Sequence, residues 1–337
     1  MKIAVDAMGG DYGPRVTVEG ALHAARDFGL EVILVGAPDL IRQEIRRVGL
    51  PQEGVTIVDA PEAIGMGEGL LSFRRKKRSS IRIGAQLVKE GRADALVSTG
   101  NTAAVVTISQ RTLGALRGVD RPALALLVPT QKGLTLLIDV GANANCRPHH
   151  LEQFAVMGKI FMANILGLQE PRIGLMSIGE EKGKGNELTK AAFERLEAAP
   201  LNFIGNIEGK DIYTGKADII VSDGFTGNVA LKVSEGLVEN MLVMARGEIT
   251  RNLLARVGFF LMRRHLRRLF RKLDYAQYGG AHLLGVNGVC IIGHGRSSAT
   301  AVRNAVRLAR EYVRTGVTAK IEKEIGRRGG LTEGVKA

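Results

Sequence analysis

Aromatic residues make up only 4% of this 337-residue chain. No interleaving of aromatic and basic residues of the RNA-reading kind appears, which makes nucleic acid the weaker partner for a basic protein. Cysteine is nearly absent: Cys146 and Cys290 stand alone, with no CxxC. That excludes a disulfide framework and points to a reducing compartment, with both thiols read as small buried side chains. No run of about 18 apolar residues occurs, so no membrane-spanning helix is expected. Met1-Lys2-Ile3-Ala4-Val5 meets Asp6 too soon for a signal peptide. No Pro/Ser linker divides the chain.

Several chemical signatures are missing too. G-x-x-x-x-G-K-[ST] is absent. Gly183-Lys184-Gly185-Asn186-Glu187-Leu188 lacks the third glycine of a dinucleotide fingerprint and does not directly follow a strand end. A dehydrogenase is therefore disfavoured. His149, His150, Glu152 and His294 match no zinc spacing, so no metal and no cofactor are expected. No Ser, Cys or His relay with a clear signature is visible.

What is present is a net charge of +13, a 45% hydrophobic content that supports a sizeable core, and 43 glycines clustered at strand ends. The charge favours an acidic partner: an acidic protein, anionic lipid or nucleic acid. Apolar strand patterns alternate with helical ones: Lys2–Asp6, a helix from Pro14 to a stop at Gly29, Glu31–Val35, a helix capped by Asp39, and Val55–Val58. Later strands are expected at Ala93–Ser98, Arg172–Met176, Asn202–Ile204, Asp218–Val221 and Gly288–Ile292. Leu124–Val128 and Leu134–Ile138 flank Pro129-Thr130-Gln131-Lys132-Gly133 as a hairpin, which makes the sheet mixed but mostly parallel. The expectation is a three-layer α/β/α sandwich forming one catalytic domain over residues 1–314. A charged tail at residues 315–337 is expected to be loosely held.

One pattern is used twice. Ala93–Ser98 runs into Thr99-Gly100-Asn101-Thr102, and Ala217–Ser222 runs into Asp223-Gly224-Phe225-Thr226-Gly227-Asn228. Each strand ends in glycine, asparagine and hydroxyl residues before a helix, a turn that offers backbone N–H groups to an anion. With Asp6–Asp11, Asp139–Asn143 and Gly179–Asn186, five such loops are expected to converge on one crevice at the carboxyl ends of strands. Lys184, between two glycines, could hold a phosphate or a developing oxyanion, and Asn228 could donate an amide N–H to it. These two are the expected catalytic residues. Gly9, Gly10, Asn101, Thr102, Asn143, Gly185, Asn186 and Gly227 are the expected substrate- and phosphate-binding set, with the Asn101 loop as a phosphate-binding wall. Two basic segments stand apart. One is Arg74-Arg75-Lys76-Lys77-Arg78. The other, within residues 246–275, is an amphipathic run that includes Phe259, Phe260, Leu261, Arg263, Arg264 and Leu266, a composition suited to a membrane interface or a dimer contact.

The chain resembles the bacterial acyl-acyl carrier protein:phosphate acyltransferases of phospholipid synthesis, the PlsX family. The likeness is carried in order by Val5-Asp6-Ala7-Met8-Gly9-Gly10-Asp11, Ala93-Asp94-Ala95 with Gly100-Asn101-Thr102, and Asp139-Val140-Gly141-Ala142-Asn143. It continues through Gly179-Glu180-Glu181 with Lys184-Gly185-Asn186, Asp223-Gly224-Phe225 with Gly227-Asn228-Val229, and Tyr278-Gly279-Gly280-Ala281. Departures are Ala103-Ala104 for the usual Gly-Ala, His282 for the usual proline, and Arg296 within the usual His-Gly-Ser-Ser. The resemblance implies a fold similar to phosphotransacetylases and isocitrate dehydrogenases. It implies transfer of a fatty acyl group from acyl carrier protein to inorganic phosphate by a cytoplasmic, peripherally membrane-bound homodimer. The acyl phosphate product would feed a membrane glycerol-3-phosphate acyltransferase. Two other readings of the residues stay open: a short-chain phosphotransacetylase using acyl-CoA, and a non-enzymatic basic protein that binds membrane surfaces.

Overall fold

In a computed structural model, residues 1–251, 256–265 and 279–333 are described. Eleven strands form one sheet in the order β3-β2-β1-β4-β11-β10-β5-β6-β9-β7-β8. They are β1 Lys2–Asp6, β2 Glu31–Gly36, β3 Val55–Asp59, β4 Ala95–Ser98, β5 Ala123–Thr130, β6 Gly133–Ile138, β7 Ile173–Met176, β8 Phe203–Ile207, β9 Ile219–Val221, β10 Ala281–Leu284 and β11 Cys290–Ile292. The helices used below are α1 Arg15–Phe28, α2 Pro38–Val48, α3 Leu70–Arg75, α4 Ser80–Lys89, α5 Thr102–Leu113, α6 Pro148–Ile165, α7 Glu187–Ala198 and α8 Gly224–Arg251. They continue with the helical residues 256–265 (α9), α10 Ala299–Thr315 and α11 Val317–Glu333.

The central strands are mostly apolar, as both faces of the sheet are covered. One buried layer includes Leu22, Phe154, Phe161, Val306 and Ile321; the other includes Phe73, Ile81, Ile108, Leu137 and Ile220. The expected three layers and mixed sheet are therefore present. Gly29 ends α1 in the left-handed conformation, as its position in the sequence anticipates. Two expectations need correction. Asp39 does not cap α2: the helix already starts at Pro38, with Ala37 in the capping position, because a proline's fixed φ opens the helix one residue earlier. Residues 317–325 of the expected tail are firmly held, since Val317, Ile321 and Ile325 recur every fourth residue and are buried where α11 packs on α6.

The strand directions decide where the loops go. β3, β2, β1, β4 and β11 are parallel to one another, as are β6, β9, β7 and β8. Between the blocks, β10 is antiparallel to both β11 and β5, and β5 is antiparallel to β6. The second block therefore runs opposite to the first. Its carboxyl ends emerge at the other edge of the sheet, and the five loops do not form one crevice. α8 bridges the two edges: it begins beside the β9 loop, and Glu239, about 16 Å of helix beyond Asn228, pairs with Arg296 of the β11–α10 loop at 3.6 Å.

Candidate active site

At the first edge the glycine loops pack against one another. Asp6, at the end of β1, accepts the Ser98 hydroxyl at 2.7 Å and the Met8 N–H at 3.1 Å. Burial pushes its carboxyl up from the ordinary range. A Cβ on Gly9 would lie 2.6 Å from Asp6 Oδ2 and 2.7 Å from Gly100 N. Gly10 meets Gly295 in the same way, at 2.8 Å from its carbonyl oxygen. Glycine is required here because backbone approaches backbone. Asn101 caps α5 through its Oδ1 and donates its amide to Met66 O at 2.8 Å and Glu68 O at 3.2 Å. It thereby fastens the 61–69 segment over this edge, while Thr102 opens α5 as an exposed residue. The expected phosphate wall is thus a packed junction in which the Asn101 side chain is committed to Met66, Glu68 and Ala104. In the adjoining basic run, Lys76 bonds Glu68 at 2.6 Å and Arg78 bonds Asp59 at 2.7 Å.

At the second edge the loops open a cleft of about 340 Å³, lined by Ala144, Asn145, Cys146, Asn186, Leu188, Asp223, Phe225 and Thr226. The lining comes from the loops that lead into α6, α7 and α8. Three helix N-termini therefore approach one space, each contributing positive potential. The floor is knitted by Asp139, which follows β6. Its Oδ1 accepts Leu124, Gly141 and Ala142 N–H, and its Oδ2 accepts the backbone and side-chain N–H of Asn143, all at 2.8–3.0 Å. Burial pushes this carboxyl up, and those donors pull it down. Asn143 is buried and also donates to Pro122 O at 2.7 Å, so it holds the floor and presents no amide to a ligand. Gly227 packs in the same floor, where a Cβ would lie 2.6 Å from Ser222 Oγ.

The two expected catalytic residues are not themselves in the lining but lie close to it in the chain, Lys184 two residues before Asn186 and Asn228 two residues after Thr226. Lys184 is exposed, and no carboxylate pairs with its ammonium among the described residues, whereas neighbouring Lys182 is paired with Glu197. Its backbone is fixed by Lys184 N–H on Glu181 O at 3.0 Å. Gly185 follows with φ 109°, a conformation that favours glycine. Asn186 lines the cleft and caps α7 by accepting Thr189 N–H at 2.9 Å. Asn228 lies in the second turn of α8, exposed, its side chain packed over Gly141, with no hydrogen bond to its carboxamide among the described residues.

Sequence reasoning assigned no role to Asp139, Asp223 or Cys146. Asp223 caps α8, accepting Phe225 and Thr226 N–H at 3.0 and 2.9 Å and the Thr226 hydroxyl at 2.7 Å. An aspartate directly after a strand and before small residues is the sequence signal for both carboxylates. Cys146 lines the cleft, but burial and the charge of Asp139 push its thiol up to about 11, so it stays protonated at neutral pH and is a poor nucleophile. In the first turn of α6, His149 and His150 bring potential ligand atoms within 4.8 Å of each other and of Asp120. His149 Nε2 already bonds Asp120 at 2.8 Å, and His150 Nδ1 accepts Arg147 N–H at 3.0 Å. Glu152 pairs with Arg195, and His294 Nδ1 accepts Arg296 N–H.

On α9, Phe259, Phe260 and Leu261 are exposed, and the Arg263 guanidinium lies 4.1 Å from the Phe260 ring centre. Arg264 is exposed as well; Leu266 lies outside the described residues. No helix of the described residues is long and apolar enough to cross a membrane.

Residues 1–320 match the family model described as "Fatty acid synthesis protein". A phosphate acyltransferase of Pelotomaculum thermopropionicum is 49% identical over 96% of this chain and 95% of its own length. One of Gloeobacter violaceus is 47% identical over 96% and 97%. Among solved structures, a phosphotransacetylase from Streptococcus pyogenes superposes with a TM-score of 0.63 at 20% identity, covering 94% of each chain. A branched-chain phosphotransacylase from Enterococcus faecalis gives 0.56 at 15% identity, covering 93% of this chain and 99% of that one. These two show the shared fold, in agreement with the phosphotransacetylase-like architecture expected from the sequence. With a family match over nearly its whole length and relatives at almost half identity, the chain belongs to the fatty acid synthesis protein family of phosphate acyltransferases.

Proposed function

We propose that this acyltransferase moves a fatty acyl group from the thioester of acyl carrier protein to inorganic phosphate, with the cleft at the second sheet edge as its reaction centre. The observation that carries the assignment is the pair of uncommitted groups within two residues of the cleft lining, the Lys184 ammonium and the Asn228 carboxamide, on the loop that leads into α7 and on the start of α8. A phosphate oxygen attacks the thioester carbonyl carbon. The new C–O bond forms a tetrahedral oxyanion, which collapses as the C–S bond breaks and the carrier leaves as a thiolate that takes a proton from water. Phosphate is itself the nucleophile, so no enzyme nucleophile is required. Lys184 neutralises phosphate and the oxyanion, Asn228 donates a hydrogen bond to the oxyanion, and the Gly185, Asn186 and Gly227 backbone shapes the phosphate seat.

The test is release of free carrier thiol that depends on added phosphate. Lys184→Ala and Asn228→Ala should each lower turnover about 10²–10³-fold, the usual effect of removing one oxyanion donor. Undiminished turnover by correctly folded Lys184→Ala overturns the assignment. Equal rates with acyl-CoA would instead favour a coenzyme A phosphotransacylase.

The finer reading is a homodimer held peripherally on the cytoplasmic face of an anionic membrane, delivering acyl phosphate to a membrane glycerol-3-phosphate acyltransferase. Exposed Phe259, Phe260 and Leu261 beside Arg263 and Arg264 support it. Phe260→Asp should abolish flotation with anionic liposomes, and unchanged flotation sinks that part.

A further inference from the structure

The loop that carries Lys184 is held from the neighbouring strand by a side chain with no part in the steps above. Asn206, on β8, is 4% exposed, and its Nδ2 donates to the Glu181 carbonyl oxygen at 2.9 Å. The same oxygen accepts the Lys184 N–H at 3.0 Å, so one carbonyl joins Asn206 to the turn on which Lys184 stands. β8 reaches the loop a second time where the Ser177 N–H donates to Ile207 O at 2.9 Å.

β8 is irregular just where this contact is made. Phe203 lies opposite Ile173 and Asn206 opposite Leu175, so Ile204 and Gly205 together face the single residue Gly174. Gly205 has a φ of 95°, a conformation that favours glycine. This is a β-bulge, and its extra residue reverses the alternation of faces beyond it. Phe203 and Ile207, four residues apart, would share a face of a regular strand; here they pack in opposite buried layers. Asn206 would likewise share the outward side of Ile204, which is 39% exposed. The bulge turns it instead to the side where Phe203 meets Phe193 of α7.

The amide weakens the fold where it sits. Asn206 Oδ1 is buried with no hydrogen-bond partner among the described residues, and a buried orphan acceptor lowers stability. A leucine, with the same branched shape, would leave no orphan. What asparagine offers and leucine does not is the N–H held against Glu181 O. We infer that Asn206 is a positioning residue for acyl transfer: aimed by the bulge at Gly205, it fixes the turn from Glu181 to Lys184 and so the place from which the Lys184 ammonium acts. The inference rests on the role given to Lys184 above. Being buried, Asn206 acts through that lysine, and a displacement of about 1 Å in a group that faces the reacting atoms is enough to cost up to about 10²-fold in rate.

The experiment compares Asn206→Leu, Lys184→Ala, Asn228→Ala and the double variants on the full chain, with phosphate and an acyl-carrier donor. Asn206→Leu should lower kcat at least tenfold and keep the thermal midpoint within a few degrees of wild type. Added to Lys184→Ala it should cost less than twofold more, whereas with Asn228→Ala the two losses should multiply. Amide hydrogen exchange, which needs no turnover, should quicken at least tenfold at Lys184. Asn206→Ala, which adds no bulk, carries the same expectations if leucine disturbs the strand. An unchanged exchange rate, or a loss that multiplies with that of Lys184→Ala, overturns the inference. Unchanged kcat in Asn206→Leu beside an impaired Lys184→Ala overturns it too, and leaves the acyl-transfer assignment standing. Undiminished turnover by Lys184→Ala overturns both.

Discussion

The stem of Lys184 crosses directly over Gly179: a Cβ at residue 179 would sit 2.9 Å from Lys184 Cγ. The bare backbone of Gly179 therefore helps to aim the ammonium, from a position that touches no substrate. Gly179→Ala should push the lysine stem aside and lower turnover at least tenfold, with the thermal midpoint shifted by only a few degrees. Combined with Lys184→Ala it should cost no more than Lys184→Ala by itself, since both act through one group. A full additive loss in the double variant would show that Gly179 acts elsewhere.

Asn101 makes a different prediction from Asn228, although the two occupy matching places in the repeated motif. The Asn101 carboxamide is bonded on every side, to Ala104 N–H, Met66 O and Glu68 O. Asn101→Ala removes a helix cap and the tie to the 61–69 segment, and should cost about 1–2 kcal/mol of stability. Its KM for phosphate should stay within twofold of wild type. Urea unfolding and a phosphate titration read the two effects separately, and a large rise in the phosphate KM would restore the Asn101 loop to the substrate site.

His282 is buried between Phe161 and Tyr312, with ring centres 4.7 and 5.2 Å away, and neither ring nitrogen has a hydrogen-bond partner among the described residues. Burial pulls its pKa down to about 3. The folded protein thus holds the ring neutral, while the unfolded chain takes up a proton near pH 6.5. The stability is complete above that pH and falls as pH drops from 6.5 toward 3, by up to about 1.4 kcal/mol per pH unit. His282→Leu should remove this component, so the loss of unfolding free energy between pH 7 and pH 5 shrinks by about 2 kcal/mol relative to wild type. Unfolding curves at the two pH values test it, and an unchanged difference would mean that His282 finds a proton partner in the folded state.

The local signals in the sequence translated well. Gly29 and the hairpin of β5 and β6 depend on residues within a few positions of one another. The failures were non-local. β10 inserts between β5 and β11, pairing with strand β5 some 160 residues away, and leaves β5 running as β11 does; the antiparallel β5–β6 pair then turns the second block over and separates the loops. Glycines at Gly9 and Gly100 look alike in sequence whether a ligand or another loop approaches them. The α11 core contacts were hidden because Val317, Ile321 and Ile325 stand among lysines and glutamates, whose number suggested a tail while their spacing specified a helix.

For inhibitor chemistry, the close approach of Gly9 to Gly100 is a choice of target. A site with no room for one methyl group has none for a phosphonate, so mimics aimed between these two loops would find no seat.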